Sequence, residues 1–182
     1  MAFFDLPPDE QLPPDSVRIL CEYGRLTQKE IPETWRTYGR NPRIIEARFK
    51  AFESLFQSMW DHGRFGRDAM GIASMLIAHA RRCQGCFNGS RLILHRLGFD
   101  EPAMDAMCAN PGALPLGERD RLFVQFALKV ATGPADLKRQ DFTEMTDHGF
   151  TRDDIQEIIG FVAFWLMNTT FTSAGNSALR EG

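Results

Sequence analysis

The chain has 182 residues, 43% of them hydrophobic and 25% charged, with a net charge of −3. That length suits one domain able to bury about 70% of its unfolded surface. The balance is that of a soluble globular protein and offers no electrostatic footprint for nucleic acid or an anionic membrane.

The opening residues 1–14 hold four of the ten prolines and bulky apolar residues that include Phe3, Phe4 and Leu6. Proline fixes φ and donates no hydrogen bond, so an extended arm is expected, packed on its own body or on another subunit. Early acids and the lack of a basic start argue against a secretory leader, and a reducing cytoplasm is the expected setting. No apolar run is read as approaching the ~18 residues that cross a bilayer.

From residue 15 the pattern is helical throughout. Asp15–Ser16 is expected to cap a helix through "VRILCEYGRL", and "PETWRTYGR" gives a short one. In "NPRIIEARFKAFESLFQSMW", Asn41 is a cap and Pro42 a first-turn residue. Ile44, Ile45, Phe49, Phe52, Leu55, Phe56 and Met59 make one apolar stripe. "RDAMGIASMLIAHARR" leads into Cys83, and "CFNGSRLILHRLGF" leaves it and ends near Gly98. Further helices follow in "DEPAMDAMCA", "LGERDRLFVQFALKVAT", "DLKRQDFTEMTDHG" and "TRDDIQEIIGFVAFWLMNTTFTSAGNSAL". No long alternating run and no glycine-rich phosphate loop interrupts them. The expected fold is all-α: a single compact helical domain over 15–182 behind the arm.

Chemistry concentrates in "RRCQGCFNGS", residues 81–90. A structural zinc site needs four ligands, but Cys21 and Cys108 stand alone and His62, His79, His95 and His148 form no pair at ligand spacing. No metal is therefore expected. Two readings of Cys83 and Cys86 remain: inert buried thiols, or a redox dithiol. A CxxC opening a helix sets its sulfur near free N–H groups and the positive dipole end, and Arg81 and Arg82 add positive potential; both stabilise a thiolate. Cys21 and Cys108 read as core thiols, Trp60 and Trp165 as core or subunit contacts, and Arg119, Asp120 and Arg121 as a solvated helix start.

The arm, the segment "PETWRTYGRNPRIIEARFKAFESL", the pair of helices around CxxC and the closing "FVAFWLMNTTFTSAGNSAL" with Asn168 resemble the carboxymuconolactone decarboxylase superfamily. The likeness is to its alkylhydroperoxidase-D-like, peroxidase-related branch, and it covers most of the chain. The resemblance implies the compact helical bundle of that branch, assembled as trimers or hexamers. It implies a peroxidatic Cys86, a resolving Cys83 and no bound cofactor. It also implies a small peroxide as substrate and an external dithiol donor of lipoyl or thioredoxin type. The family's relay adds a Glu twelve residues before the first cysteine and a His four after the second. Here those slots hold Gly71 and Ser90, and the nearest upstream acid is Asp68. Ser90 supplies only a hydrogen bond. His79, four residues before Cys83, shares its face if the helix is continuous and is the candidate replacement base. His95 is expected to point away. A redox sensor or assembly protein on the same fold is the alternative; a lactone decarboxylase is less favoured, because that branch generally lacks CxxC.

Overall fold

The computed structural model describes residues 6–28 and 30–179. Phe3 and Phe4 lie outside the described residues. Among these, every regular element is helical: α1 (Pro14–Thr27), α2 (Glu33–Arg36), α3 (Pro42–Phe52), α4 (Ser58–His62), α5 (Arg67–Ala80), α6 (Gln84–Arg96), α7 (Glu101–Ala109), α8 (Glu118–Thr132), α9 (Arg139–Asp147) and α10 (Arg152–Leu179). The all-α expectation holds.

The core is built round α5. Every residue from Ala69 to Ala78 is buried, and a helix apolar on all sides belongs at the centre of a bundle. It packs on α6 and α8, while α10 crosses α8, α5 and α6 and also reaches α2 and α3. Gly71 is what lets α6 come close. A Cβ there would sit 2.9 Å from Leu94 Cδ2 and 3.5 Å from Leu97 Cδ1.

Several boundaries differ from expectation. α1 begins at Pro14 behind Pro13, not under an Asp15–Ser16 cap, and Ser16 is buried without a partner for its hydroxyl. Asn41 stands at the N-cap of α3 but makes no side-chain cap bond. The arm is not wholly extended: Asp9–Gln11 form a 3₁₀ turn, Leu12 is buried, and Asp9 pairs with Arg36. α3 runs into α4 through a π-helical turn at Glu53–Gln57. Cys21 is exposed and Cys108 half-buried, so neither is a core thiol.

α10 contains a stretch, Arg152–Ser177, long and apolar enough by length and composition to cross a membrane, which corrects the reading of the chain as lacking one. Its threonines and serines broke up the run to the eye. Here it packs against the bundle.

The start of α10 is a reciprocal cap. Asp154 N donates to Thr151 Oγ1 at 3.1 Å, and Thr151 N donates to Asp154 Oδ2 at 2.8 Å. Burial raises the Asp154 pKa, but Thr151 and Arg64 outweigh it and leave the carboxyl below its usual range. A depressed carboxyl stabilises the fold above its unfolded pKa of about 3.9 and loses that contribution as pH falls through the folded value. Asp154→Ala is expected to cost about 2 kcal/mol at neutral pH and to flatten the acid limb of stability, checked by urea unfolding across pH.

Candidate active site

Cys83 occupies two positions at once. α5 ends in a Schellman turn in which Cys83 N donates to Ala78 O at 3.0 Å and Arg82 N to His79 O at 2.9 Å. The left-handed residue of that turn is Arg82, at φ 54°, where glycine is usual. Cys83 then becomes the N-cap of α6, and Phe87 N bonds to its carbonyl at 2.8 Å. One turn later Cys86 faces back toward it. Both thiols are free and buried, at 2% and 6% exposure, with the sulfurs 2.6 Å apart.

With the thiols against each other, the charge of one bears on the proton of the other. The hydrogen bond from the Cys86 thiol, with help from Ser173, the Cys86 backbone and Arg48, outweighs burial and lowers the Cys83 pKa to about 6. Cys86, holding its proton against a thiolate and buried as well, is pushed up. The surroundings thus favour charge on Cys83 and keep the proton on Cys86.

The positive charge comes from a residue that the sequence reading passed over. Arg48 is 1% exposed. Its Nη1 donates to Thr34 O at 2.9 Å; its Nη2 donates to Asn168 Oδ1 at 2.8 Å and to Thr172 Oγ1 at 3.2 Å. Its guanidinium lies 4.3 Å from the Trp35 ring centre, and Trp35 stacks on Tyr23. Burial lowers the Arg48 pKa to about 10, and the groups that counter this are Tyr23, Cys86, Tyr38 and Cys83, with no carboxylate among them. Asn168 joins the two halves, since its Nδ2 lies 3.9 Å from Cys86 Sγ. The signal for Arg48 was present in the sequence: it sits three after Ile45 and four before Phe52, on the buried stripe of α3. A cation there needs a reason. Arg48→Met removes the charge at similar volume. It is expected to raise the pH midpoint of thiol alkylation by about one unit, with Arg48→Lys recovering part of the shift. An unmoved midpoint in a folded variant contradicts the assignment.

Cys86 lines a cavity of about 910 Å³ bounded by α1, α2, α3, α4, α6 and α10. Its walls include Tyr23, Trp35, Phe52, Phe56, Trp60 and Trp165. Trp60 and Trp165 are therefore cavity walls rather than core or subunit contacts alone. The π turn lies in this wall: it carries Phe56, whose ring is 5.8 Å from Trp60 and 5.9 Å from Trp165. π turns recur at functional sites.

The other expected site residues are not gathered here. His79 is exposed, with its ring 5.5 Å from Phe87, and it does not line the cavity. Its one-turn relation to Cys83 fails because the helix breaks at Arg81–Arg82. The Arg82 side chain is exposed, and its main contribution is the turn. Asp68 is exposed in the first turn of α5, about 18 Å of helix rise from the end of that helix at Ala80. Ser90 is buried beneath Cys86 on α6, and its Oγ has no partner. His95 is exposed and pairs with Glu101, away from the sulfurs. Arg119 covers Phe150 at 4.1 Å and reaches Asp154 at 4.0 Å, so it is more than a solvated helix start. No cluster of three metal-ligating side chains exists among the described residues.

Solved structures with the same arrangement of helices decide the fold. An uncharacterised peroxidase-related protein with an alkylhydroperoxidase AhpD core, from Ralstonia eutropha JMP134, aligns over 100% of this chain and 92% of its own, with TM-score 0.79 and 21% identity. This chain has the alkylhydroperoxidase-D fold. A peroxidase-related protein from Silicibacter sp. TM1040 matches it over 96% of this chain and 90% of its own, with TM-score 0.78 and 20% identity. A cysteine-to-alanine form of the debrominase Bmp8, in complex with 2,3,4-tribromopyrrole, covers 99% of this chain and 92% of its own, with TM-score 0.75 and 17% identity. No family model and no curated protein matches the sequence. Leu94 fills the space beside Gly71, the position where the resemblance would place an acid.

Proposed function

We propose that this chain is a thiol-dependent peroxidase that reduces organic hydroperoxides through a Cys83–Cys86 dithiol/disulfide cycle. One observation carries the reading: a buried thiolate–thiol pair whose Cys86 member forms the wall of a substrate-sized cavity. The lowered pKa belongs to Cys83 but the cavity face belongs to Cys86, and one mechanism uses both. As Cys86 attacks the distal peroxide oxygen, its proton passes to the Cys83 thiolate 2.6 Å away. The O–O bond breaks and the leaving alkoxide takes that proton to become the alcohol. Cys83, again a thiolate, attacks the Cys86 sulfenic acid, forming the disulfide and releasing hydroxide. Cys83 thus does the work for which the family uses a Glu/His relay, and Arg48 steadies the negative charge throughout.

Two electrons leave the dithiol in each cycle, so a dithiol donor of lipoyl or thioredoxin type is needed to restore it. Assembly into trimers or hexamers belongs to the same proposal and is checked by sedimentation against the 20.7 kDa monomer mass. The activity test is consumption of tert-butyl hydroperoxide with dihydrolipoamide as reductant. Turnover is expected in the native chain and its loss in Cys86→Ser. Oxidation in one turnover without recycling by either donor type would favour a redox sensor.

The aromatic cavity walls favour a second reading, reductive dehalogenation of a halogenated ring, as in the debrominase of like fold. The same dithiol would supply the two electrons, with halide as the product. Halide release from tribromopyrrole without peroxide consumption would select it.

A further inference from the structure

We propose that the cavity beside Cys86 takes an uncharged substrate with an aromatic body, and that Gly89 sets this choice by leaving room for a ring one helical turn from the sulfur. The inference deepens the reading above by naming the body of the substrate. It rests on that reading only for the statement that the bound molecule is a hydroperoxide and is turned over.

The shape of the cavity comes first. α6 lines it at Gly85, Cys86, Gly89, Leu92, Ile93 and Arg96, the spacing of one helix face. These positions span about 16 Å of helix rise, with Cys86 near one end. A ligand therefore meets the sulfur with one terminus and lays its body along α6. A cavity of about 150 Å³ is enough for benzene. The volume of about 910 Å³ here has room for a ring and its substituents, and a small peroxide would fill little of it.

Gly89 comes second. It lies three residues after Cys86, inside α6, where glycine is less stable than alanine. Nothing in the fold demands glycine there: its φ is not positive, and a Cβ would meet no atom within 4 Å. Gly85, one turn earlier, differs, because a Cβ there would meet Thr172 Cγ2 at 3.1 Å. What the missing side chain at 89 provides is open space on the cavity face, next to the reacting sulfur.

The opposite wall decides what fills that space. On α10, Asn168 contacts Cys86, and Phe164 and Trp165, one turn before it, line the cavity. Trp35, Trp60 and Phe56 line it too. The wall rings already pair by face and by edge: Phe56 stacks on Trp60 at 5.8 Å and meets Trp165 edge-on at 5.9 Å. A further aromatic ring can join such a cluster through contacts that a saturated ring of the same size does not make. A charged body is disfavoured, since a buried charge is costly unless it is paired. Of the charged residues that line the cavity, Glu30, Glu33 and Arg96 are exposed to water. Arg48 already bonds Thr34, Asn168 and Thr172 and bears on the cysteine charge.

All three tryptophans of the chain line the cavity, so their fluorescence reports its occupancy without any turnover. The reduced full chain is titrated with 2-phenylpropan-2-ol and with 2-cyclohexylpropan-2-ol, which differ only in saturation of the ring. The phenyl alcohol is expected to bind about fivefold tighter, the advantage of aromatic contact. Gly89→Leu puts a branched side chain in the place of the ring and is expected to abolish binding of both; leucine suits a helix better than glycine, which favours folding of the variant. A catalytic arm compares cumene hydroperoxide with tert-butyl hydroperoxide, a phenyl group against a methyl on the same carbon. The native chain is expected to show kcat/KM at least about tenfold higher for the first. Equal or reversed affinities for the two alcohols, no binding of the phenyl alcohol, or binding that survives in folded Gly89→Leu would each overturn the proposal. If Gly89→Leu does not fold, the alcohol pair decides alone. A phenyl preference in a chain that consumes neither hydroperoxide would remove the peroxidase reading and leave this one standing. Consumption of both hydroperoxides with equal kcat/KM would overturn this one and leave the peroxidase.

Discussion

Replacing Cys83 with alanine is expected to move the pH midpoint of alkylation at the site from about 6 to 8.5 or above. In the native pair, the first proton is lost from Cys83 because the Cys86 thiol donates to the resulting charge. Arg48 and the start of α6 add to the effect. Without Cys83, the remaining thiol is Cys86, which burial alone holds high. A midpoint change of that size lowers the thiolate fraction at pH 7 about thirtyfold. The reciprocal variant should differ. Cys86→Ser keeps a hydroxyl donor beside Cys83, so its midpoint should stay below that of a free thiol. The pH–rate profile of iodoacetamide labelling, read by mass spectrometry at each cysteine, separates the two. If Cys86 in Cys83→Ala still titrates near 6, then its own surroundings activate it and Cys83 is not its base. The same shift has a stability counterpart. The depressed Cys83 adds stability to the reduced fold as pH rises from about 6 to about 8.5, and that contribution is lost as pH falls through about 6; above about 8.5 the raised Cys86 acts in the opposite sense.

An acid at position 71 should strongly destabilise the protein. Gly71→Glu places a carboxylate at a fully buried position of α5, where even the first carbon meets Leu94 at 2.9 Å. The overpacking and the buried unpaired charge act together, and each belongs to the short list of severe defects. A loss of about 4–5 kcal/mol is expected, which for a chain of this size is a fall in melting temperature of roughly 10–20 °C. Gly71→Ala, with the clash and no charge, should cost about 1–3 kcal/mol. Calorimetry of both variants checks the ordering, and a stable, folded Gly71→Glu would show that Leu94 gives way. Ser90, buried on α6 with no opening to the cavity, offers a histidine little more room. Ser90→His is therefore expected to create no proton relay to the sulfurs.

Helix content was legible because apolar spacing in segments such as 42–59 and 118–132 exceeds what any strand could produce. The cysteines were legible from type and spacing. Three features were not. Arg48 was lost inside an apolar stripe, since periodicity counts hydrophobic residues and is silent about the one that breaks the count. The end of α5 was misjudged because Arg82 takes a left-handed conformation that usually announces itself as glycine, and with the break His79 left the site. Gly71 read as an absent acid, when its meaning is the close approach of α6, a contact between segments that no local pattern records.

The account turns on Cys83 and Cys86 acting as one two-electron couple. Thiol titration of the unfolded chain before and after one equivalent of tert-butyl hydroperoxide tests that directly. The four free thiols should fall to two. The tryptic peptide 83–91, which holds both cysteines, should lose the mass of two hydrogens and regain it on reduction with dihydrolipoamide. Four unchanged thiols, or a loss at Cys21 and Cys108 with peptide 83–91 intact, would contradict it.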